Sequence, residues 1–129
     1  MFQIDLQSRV PIYEQLKSRI IKLTMLGVLK DHANLPSVRN LARDIGVNPN
    51  TVQKAYQELE KDNIIYSIVG SGSFVSPKTT IMREIRTKAK ESFEKSVVLA
   101  KENYITKDEA TQIVDMIYNS EEKSEGVNI

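Results

Sequence analysis

Apolar residues recur every three or four positions along most of this chain, and departures from that rhythm mark its boundaries. At the N-terminus Phe2, Ile4 and Leu6 alternate with polar neighbours, which predicts an extended segment over residues 1–10. From Pro11 to about Met25 the period lengthens: Ile12, Leu16, Ile20 and either Leu23 or Leu26 fall on one side of a helix that Gly27 ends. Residues 28–35 read as a connection with Leu35 turned inward. Two short amphipathic helices follow, over 36–45 and 49–62, broken at Gly46. Asn63 suits the end of the second, because it tolerates left-handed backbone. Ile64-Ile65-Tyr66 and Ser73-Phe74-Val75 then make a hairpin about Gly70-Ser71-Gly72. Beyond it Met82, Ile85, Ala89, Phe93, Val97, Ala100 and Tyr104 mark one long helix over 77–104. Thr106, with Glu109 three residues on, reads as a capping box opening a last helix to about Asn119, with Ala110, Ile113, Val114 and Ile117 inward. The tail from 120 to 129 is polar and acidic and is expected to be frayed and flexible.

Three helices followed by a two-stranded ribbon is the plan of a winged helix, so the expected class is α+β, mainly helical. The division expected is a winged-helix domain over 1–76, a two-helix segment over 77–119 for dimerisation or effector response, and the tail. Within the first part, the 36–59 stretch has the spacing of a helix-turn-helix, which places its second helix in a DNA major groove. Ala42 is small enough for the two helices to cross closely, and Gly46 can adopt the positive φ of a sharp stop. Val47 and Val52 would pin the second helix to the core. Asn48 is a suitable N-cap, and Pro49 stands where a missing N–H costs nothing. An αα-corner in any helical domain could use these residues in the same way, and that alternative stands at this point.

The outer face of the second helix separates the two. Asn50, Gln53, Lys54 and Gln57 obey the i, i+3, i+4, i+7 rule, while Val52, Tyr56 and Leu59 form the inward stripe. Asn and Gln can bond adenine N6 and N7 together, and Lys can reach guanine O6 and N7 or a phosphate. Amides are poor choices for mere solvation, since Glu and Lys form helices at least as well and carry charge, so base readout is the favoured reading. In the hairpin, the glycines satisfy either a turn that needs φ > 0 or a close backbone approach to a sugar-phosphate. A P-loop is excluded because no Gly-Lys-Ser/Thr follows.

Composition narrows the classes. With 129 residues, 40% apolar and 27% charged, the chain has room for one cored domain and an appendage. There is no cysteine and a single histidine, His32, so no disulfide, thiolate chemistry or metal site is expected, nor a ligand role for His32. No apolar run approaches the roughly 20 residues that span a bilayer, and no signal-peptide pattern opens the chain, so a cytoplasmic protein is expected. Net charge is only +1. Residues 1–76 hold nine Lys/Arg and seven Asp/Glu, residues 77–129 nine and ten, an asymmetry of the right sign for DNA but weak.

The last two helices have too little apolar surface to fold alone. Their stripe (Met82, Ile85, Ala89, Phe93, Val97, Ala100, Ile113 and Ile117) wants a partner, either the same segment of a second chain or the winged helix of its own. The first gives a two-fold dimer, which doubles a weak positive surface and sets two recognition helices about one DNA turn apart. No cofactor is expected. A small-molecule effector is left open, but one short C-terminus offers little room for a pocket of roughly 300 Å³, which would form instead at the dimer interface.

Taken in order, Pro11-Ile12-Tyr13-Glu14-Gln15, Leu35-Pro36-Ser37-Val38-Arg39-Asn40-Leu41-Ala42, Gly46-Val47-Asn48-Pro49-Asn50-Thr51-Val52, Ala55-Tyr56-Gln57-Glu58-Leu59-Glu60 and Gly70-Ser71-Gly72-Ser73-Phe74-Val75 resemble the GntR family of bacterial transcription regulators. The resemblance covers residues 10–76, and the short C-terminus is similar to the YtrA-type subgroup, whose effector domain is reduced to a dimerising pair of helices. It implies that Arg39 reaches DNA, that Ser37 meets a phosphate and caps its helix, that Asn48, Asn50 and Thr51 open the recognition helix, and that Gly70, Ser71 and Gly72 form the wing tip. The chain also departs from the family. Many members have Arg where Pro49 and Gln53 stand, which implies a changed operator. Asp31-His32 replaces the usual Pro-Gly, which implies a looser loop. Ile68 and Val69 stand where wings often carry Arg, which implies a weaker electrostatic contribution.

The function expected is that of a homodimeric repressor on an inverted-repeat operator of double-stranded DNA, at its own or a neighbouring operon, commonly transporter genes in the subgroup. Ser37, Arg39, Lys54 and the wing would position it, and Asn50, Gln53 and Lys54 would read bases. A winged-helix protein-interaction module is the alternative, and would need an apolar patch in place of the amides. An enzyme lacks support: there is no His-centred dyad, paired-carboxylate signature or cofactor loop, and Ser71 sits on a hairpin and not on a strand-to-helix elbow.

Overall fold

The computed structural model describes residues 1–120, so the expected frayed tail lies, apart from Ser120, outside the described residues. The elements run α1 (Ile12–Met25), α2 (Val38–Ile45), α3 (Pro49–Lys61), β1 (Ile65–Ile68), β2 (Gly72–Val75), α4 (Lys78–Glu102) and α5 (Lys107–Tyr118). The chain forms two compact units, Met1–Ile85 and the part from Arg86 onward.

The first unit is a winged helix. Its core gathers Leu16 and Ile20 of α1, Leu41 and Ala42 of α2, Val52, Ala55, Tyr56 and Leu59 of α3, and Ile65 and Val75 of the ribbon. Leu23 is buried and Leu26 exposed, which settles the fourth member of the α1 stripe. Gly46 ends α2 at φ 73°, a left-handed value that strains any residue with a Cβ. Residues 1–10 form no strand. Phe2 and Ile4 pack against the core, and the backbone there is tied down by one side chain: Gln15 accepts from the Asp5 N–H at 2.8 Å and donates to the carbonyls of Asp5 and Val10.

The ribbon is shifted from its expected place. Ile65 pairs with Val75 and Ile68 with Gly72, so β1 runs two residues further and the loop is Val69-Gly70-Ser71. The connection before α2 adds a third stretch beside β2. The His32 and Leu35 N–H groups donate to the carbonyls of Val75 and Ser73, and Val75 N–H donates back to Ala33. The looser loop expected from Asp31-His32 is therefore not found. His32 takes φ 64°, a position where glycine is the usual choice, and Asp31 Oδ1 accepts from Lys78 N–H at 2.9 Å, capping α4.

Helix α4 begins on this same unit. Ile81 is fully buried in the winged-helix core, Ile85 packs half-buried against it, and Asn63 Nδ2 donates to Glu84 at 3.2 Å. Ile85 is thus engaged by the first unit, which reaches past residue 76, and is not free for the dimerising stripe. Asn63 stands at φ 61° just beyond α3, as its tolerance for left-handed backbone suggested.

The second unit is the rest of α4 and α5. The capping box is present: Thr106 Oγ1 accepts from Glu109 N–H at 3.1 Å and Glu109 Oε1 accepts from Thr106 N–H at 2.9 Å. Those bonds from Thr106 hold the Glu109 carboxyl below its usual pKa. Tyr104, expected at the end of the α4 stripe, instead lies beyond the helix at φ 69° and is exposed. Only Ala100, Ala110 and Val114 are half-buried along the paired helices, and no residue of α5 is buried. Two helices with so few facing side chains cover little of each other. No helix among the described residues is long and apolar enough to cross a membrane.

Candidate nucleic-acid interface

Two caps aim the helix-turn-helix. Ser37 Oγ accepts from Asn40 N–H at 3.1 Å at the start of α2, and Asn48 Oδ1 accepts from Asn50 N–H at 2.8 Å at the start of α3, where Pro49 occupies the first helical position. One carboxamide oxygen of Asn48 is therefore used structurally, and its amide nitrogen is what it offers outward. Tyr56 fastens the two helices at their other flank. Its hydroxyl donates to the Pro36 carbonyl at 2.7 Å, just before Ser37, and burial raises its pKa well above the usual phenol value. A salt bridge of 2.7 Å from Lys17 to Glu58 joins α1 to α3. Burial works to lower the Lys17 pKa, but the bond to Glu58 and the nearby carboxylates outweigh it and hold the ammonium above its usual value.

The outer face of α3 is as the spacing predicts. Asn50, Gln53, Lys54 and Gln57 are exposed together, and Thr51 is half-buried beside the inward stripe. Lys54 does not point freely into solvent: its ammonium lies 3.9 Å from the centre of the Tyr13 ring on α1. Such a contact at an exposed site is worth about 0.5–1 kcal/mol, so it holds the cation on the interface without locking it there. On α2, Arg39 is exposed and makes no hydrogen bond or ion pair among the described residues.

The structure adds three residues to the expected set. Arg43, one turn on from Arg39, is steadied by its bond to Asn40 Oδ1 at 2.9 Å. The i, i+4 spacing of two arginines on one short helix was a sufficient signal for it. Tyr13 carries Lys54, a role that no local pattern announces because the two residues lie on different helices. Asn34 bridges to Phe74 beneath the wing, a pairing that depends on the third stretch beside β2.

The wing and the start of α2 come together. Ser37, Asn34, Ser71, Gly72 and Ser73 line one open cleft of about 320 Å³. Gly70 (φ 83°) and Gly72 (φ 111°) both need positive φ, so turn geometry is enough to account for them; space beside Gly70 is open. Beneath the tip the ribbon is braced, with Tyr66 stacked on Phe74 and bonded to His32 Nδ1 at 2.7 Å. The candidate interface is therefore an arrangement of exposed amides, hydroxyls and a few cations, with α2 and α3 held by the two caps and by the Tyr56 bond.

Known proteins agree with this geometry. The model of bacterial regulatory proteins of the gntR family matches residues 11–75. The HTH-type transcriptional repressor YtrA of Bacillus subtilis (strain 168) is 43% identical over 100 residues, 76% of this chain and 77% of that protein. A GntR family transcriptional regulator from Listeria monocytogenes superposes with a TM-score of 0.59 at 31% identity, covering 92% of this chain and 100% of the other. The structure of AraR(DBD) in complex with operator ORX1 gives 0.53 at 26% identity, over 57% of this chain and 95% of that one. The family match over residues 11–75, and the 43% identity to the Bacillus subtilis repressor over about three quarters of both chains, place this protein in the GntR family: it is a DNA-binding transcriptional regulator and not an enzyme.

Proposed function

We propose that the chain acts in the cytoplasm as a homodimeric repressor on an inverted-repeat operator, at its own or a neighbouring transporter-type operon. The observation that carries the reading is the exposed Asn50, Gln53, Lys54 and Gln57 face of α3, held at a fixed angle by the Asn48 cap and by Tyr56. Asn50 and Gln53 read base edges, and Lys54 swings from Tyr13 to a base or phosphate. Ser37, Arg39, Arg43 and the wing seat the domain on the backbone. The start of α3 has Pro49 and carries few cations, so one domain holds DNA weakly, and doubling it supplies the missing affinity. The exposed apolar residues Phe93, Val97, Ile113, Met116 and Ile117 support pairing through the second unit, since surface of this kind is covered by a like surface in a two-fold dimer. Repression is favoured by the likeness to the Bacillus subtilis repressor.

An effector would bind between α4 and α5, where one chain already has a cleft of about 480 Å³ lined by Val97, Ala100, Ile105, Lys107, Ala110 and Val114. This is more room than the short C-terminus was expected to provide, because α5 folds back on α4 while leaving the two surfaces only partly in contact. A footprint on the promoter upstream of the protein's own gene tests the reading. Two protected half-sites centred about one helical turn apart are expected. A single protected patch, or protection that persists undiminished at high salt, would count against it.

A further inference from the structure

Helix α4 carries two apolar surfaces, and only one of them meets α5. Phe93, Ser96, Val97 and Ala100 line clefts whose other wall is α5. Glu91, Glu94, Lys95, Val98, Leu99 and Glu102 line a separate, shallow groove of about 520 Å³ that contains no residue of α5. At 3.6 residues per turn the two surfaces lie on roughly opposite sides of the helix. Along the second surface Glu91, Lys95 and Glu102 fall on one line, with Val98 and Leu99 to either side of it. Both apolar residues are more than half exposed, at 55% and 62%. The four charged side chains around them make no hydrogen bond or ion pair among the described residues. This surface is uncommitted within the chain and lies apart from the stripe assigned above to the dimer.

The order of its residues is self-complementary. Lys95, Val98, Leu99 and Glu102 run cation, apolar, apolar, anion, with equal spacing on either side of the apolar pair. A second copy laid antiparallel across it, about a two-fold axis between Val98 and Leu99, sets each Lys95 level with the other copy's Glu102. The same axis sets each Val98 level with the other copy's Leu99. In the parallel sense lysine would meet lysine and glutamate would meet glutamate. An isologous contact of this kind closes on itself and does not propagate into a fibre.

We infer that this face of α4 joins one dimer to another through an antiparallel α4–α4 contact, giving an assembly of four chains. The inference rests on the homodimer reading above, which uses the other surface of the helix. One helix face covers much less than the 1,200–2,000 Å² or so of a stable interface. The contact is therefore too weak to form a dimer alone, and acts between dimers already held close together, as on neighbouring operators, where tethering supplies a high effective concentration.

Sedimentation of the full chain from micromolar concentrations to about 1 mM, the range of such tethering, provides the test. The parent is expected to have the mass of two chains at the low end and to approach four at the high end. K95E and E102K should each stay at two chains throughout, because each sets two like charges against each other across the axis. The double variant K95E/E102K restores both pairs with the signs exchanged and should again approach four. All three substitutions are at exposed positions, so helical circular dichroism and the unfolding midpoint should match the parent. K95E should also bind a single duplex, enriched by the parent from a randomised pool, as tightly as the parent does. A parent that stays at two chains, a K95E variant that still reaches four, or a folded double variant that does not recover would overturn the inference. Weakened single-site binding by K95E would overturn it too, and make the face a DNA contact. A parent that is monomeric throughout would refute the homodimer reading itself, a result distinct from the others.

Discussion

Tyr56 belongs to the inward stripe of α3, yet its hydroxyl donates to the Pro36 carbonyl, so one side chain fixes the recognition helix against the lead-in to α2. Burial raises its pKa, which means that the folded state retains the phenol proton at a pH where the unfolded chain has lost it. That stabilisation is complete below the unfolded phenol value of about 10 and falls as pH rises beyond it. Y56F is expected to cost about 1–2 kcal/mol at neutral pH, because the Pro36 carbonyl loses its donor. The penalty should shrink above about pH 10, where the parent loses stability and the variant does not share that loss. Urea unfolding of both proteins across that range is the check, and a constant difference would contradict the account. At this scale the sequence was readable wherever the cause is local. Ser37, Asn48 and Gly46 were identifiable because caps and left-handed stops are set by neighbours in the chain. Tyr13 and the bonded corner at Asp31-His32 were not, because their partners Lys54, Lys78, Tyr66 and Val75 come from distant segments.

Among the elements, α4 is the one whose sequence pattern misled. A single stripe from Met82 to Tyr104 suggested one partner along the whole helix, but the helix changes partner. Its first turns bury Ile81 in the winged-helix core, and its later turns face α5. Ile81 lies outside the stripe because a periodicity averages over both surroundings. I81A should therefore destabilise the winged helix by about 2–5 kcal/mol, as a large-to-small change in a core does. L99A, at an exposed position of the same helix, should be nearly silent in a folded monomer. The unfolding midpoint of the two variants distinguishes these positions, and equal midpoints would mean that α4 does not belong to the first unit's core. The T106A variant removes one half of the capping box and should cost about 1 kcal/mol of α5 stability, visible as lost helical circular dichroism.

At the scale of the molecule, the chain combines a low net charge with an apolar C-terminal surface. Net charge of +1 leaves little long-range attraction to DNA, so the proposed function makes affinity depend on where Arg39, Arg43 and Lys54 stand and on having two copies. If the proposed dimer pairs through the exposed stripe, a charge placed there, as in F93E, should yield a monomer in sedimentation experiments and lower operator affinity by far more than any single contact would. A variant that stays dimeric would show that the pairing surface lies elsewhere.

The central claim is that the exposed face of the helix-turn-helix, with its few cations, holds operator DNA. The most direct measurement is an anisotropy titration of the parent and of R39A against the footprinted promoter fragment at about 50 and 200 mM salt. The account predicts steep weakening of the parent with salt, a loss of about 1–3 kcal/mol for R39A, and a shallower salt slope for that variant by about one phosphate contact. Equal affinity of a folded R39A and its parent at both salts would contradict it.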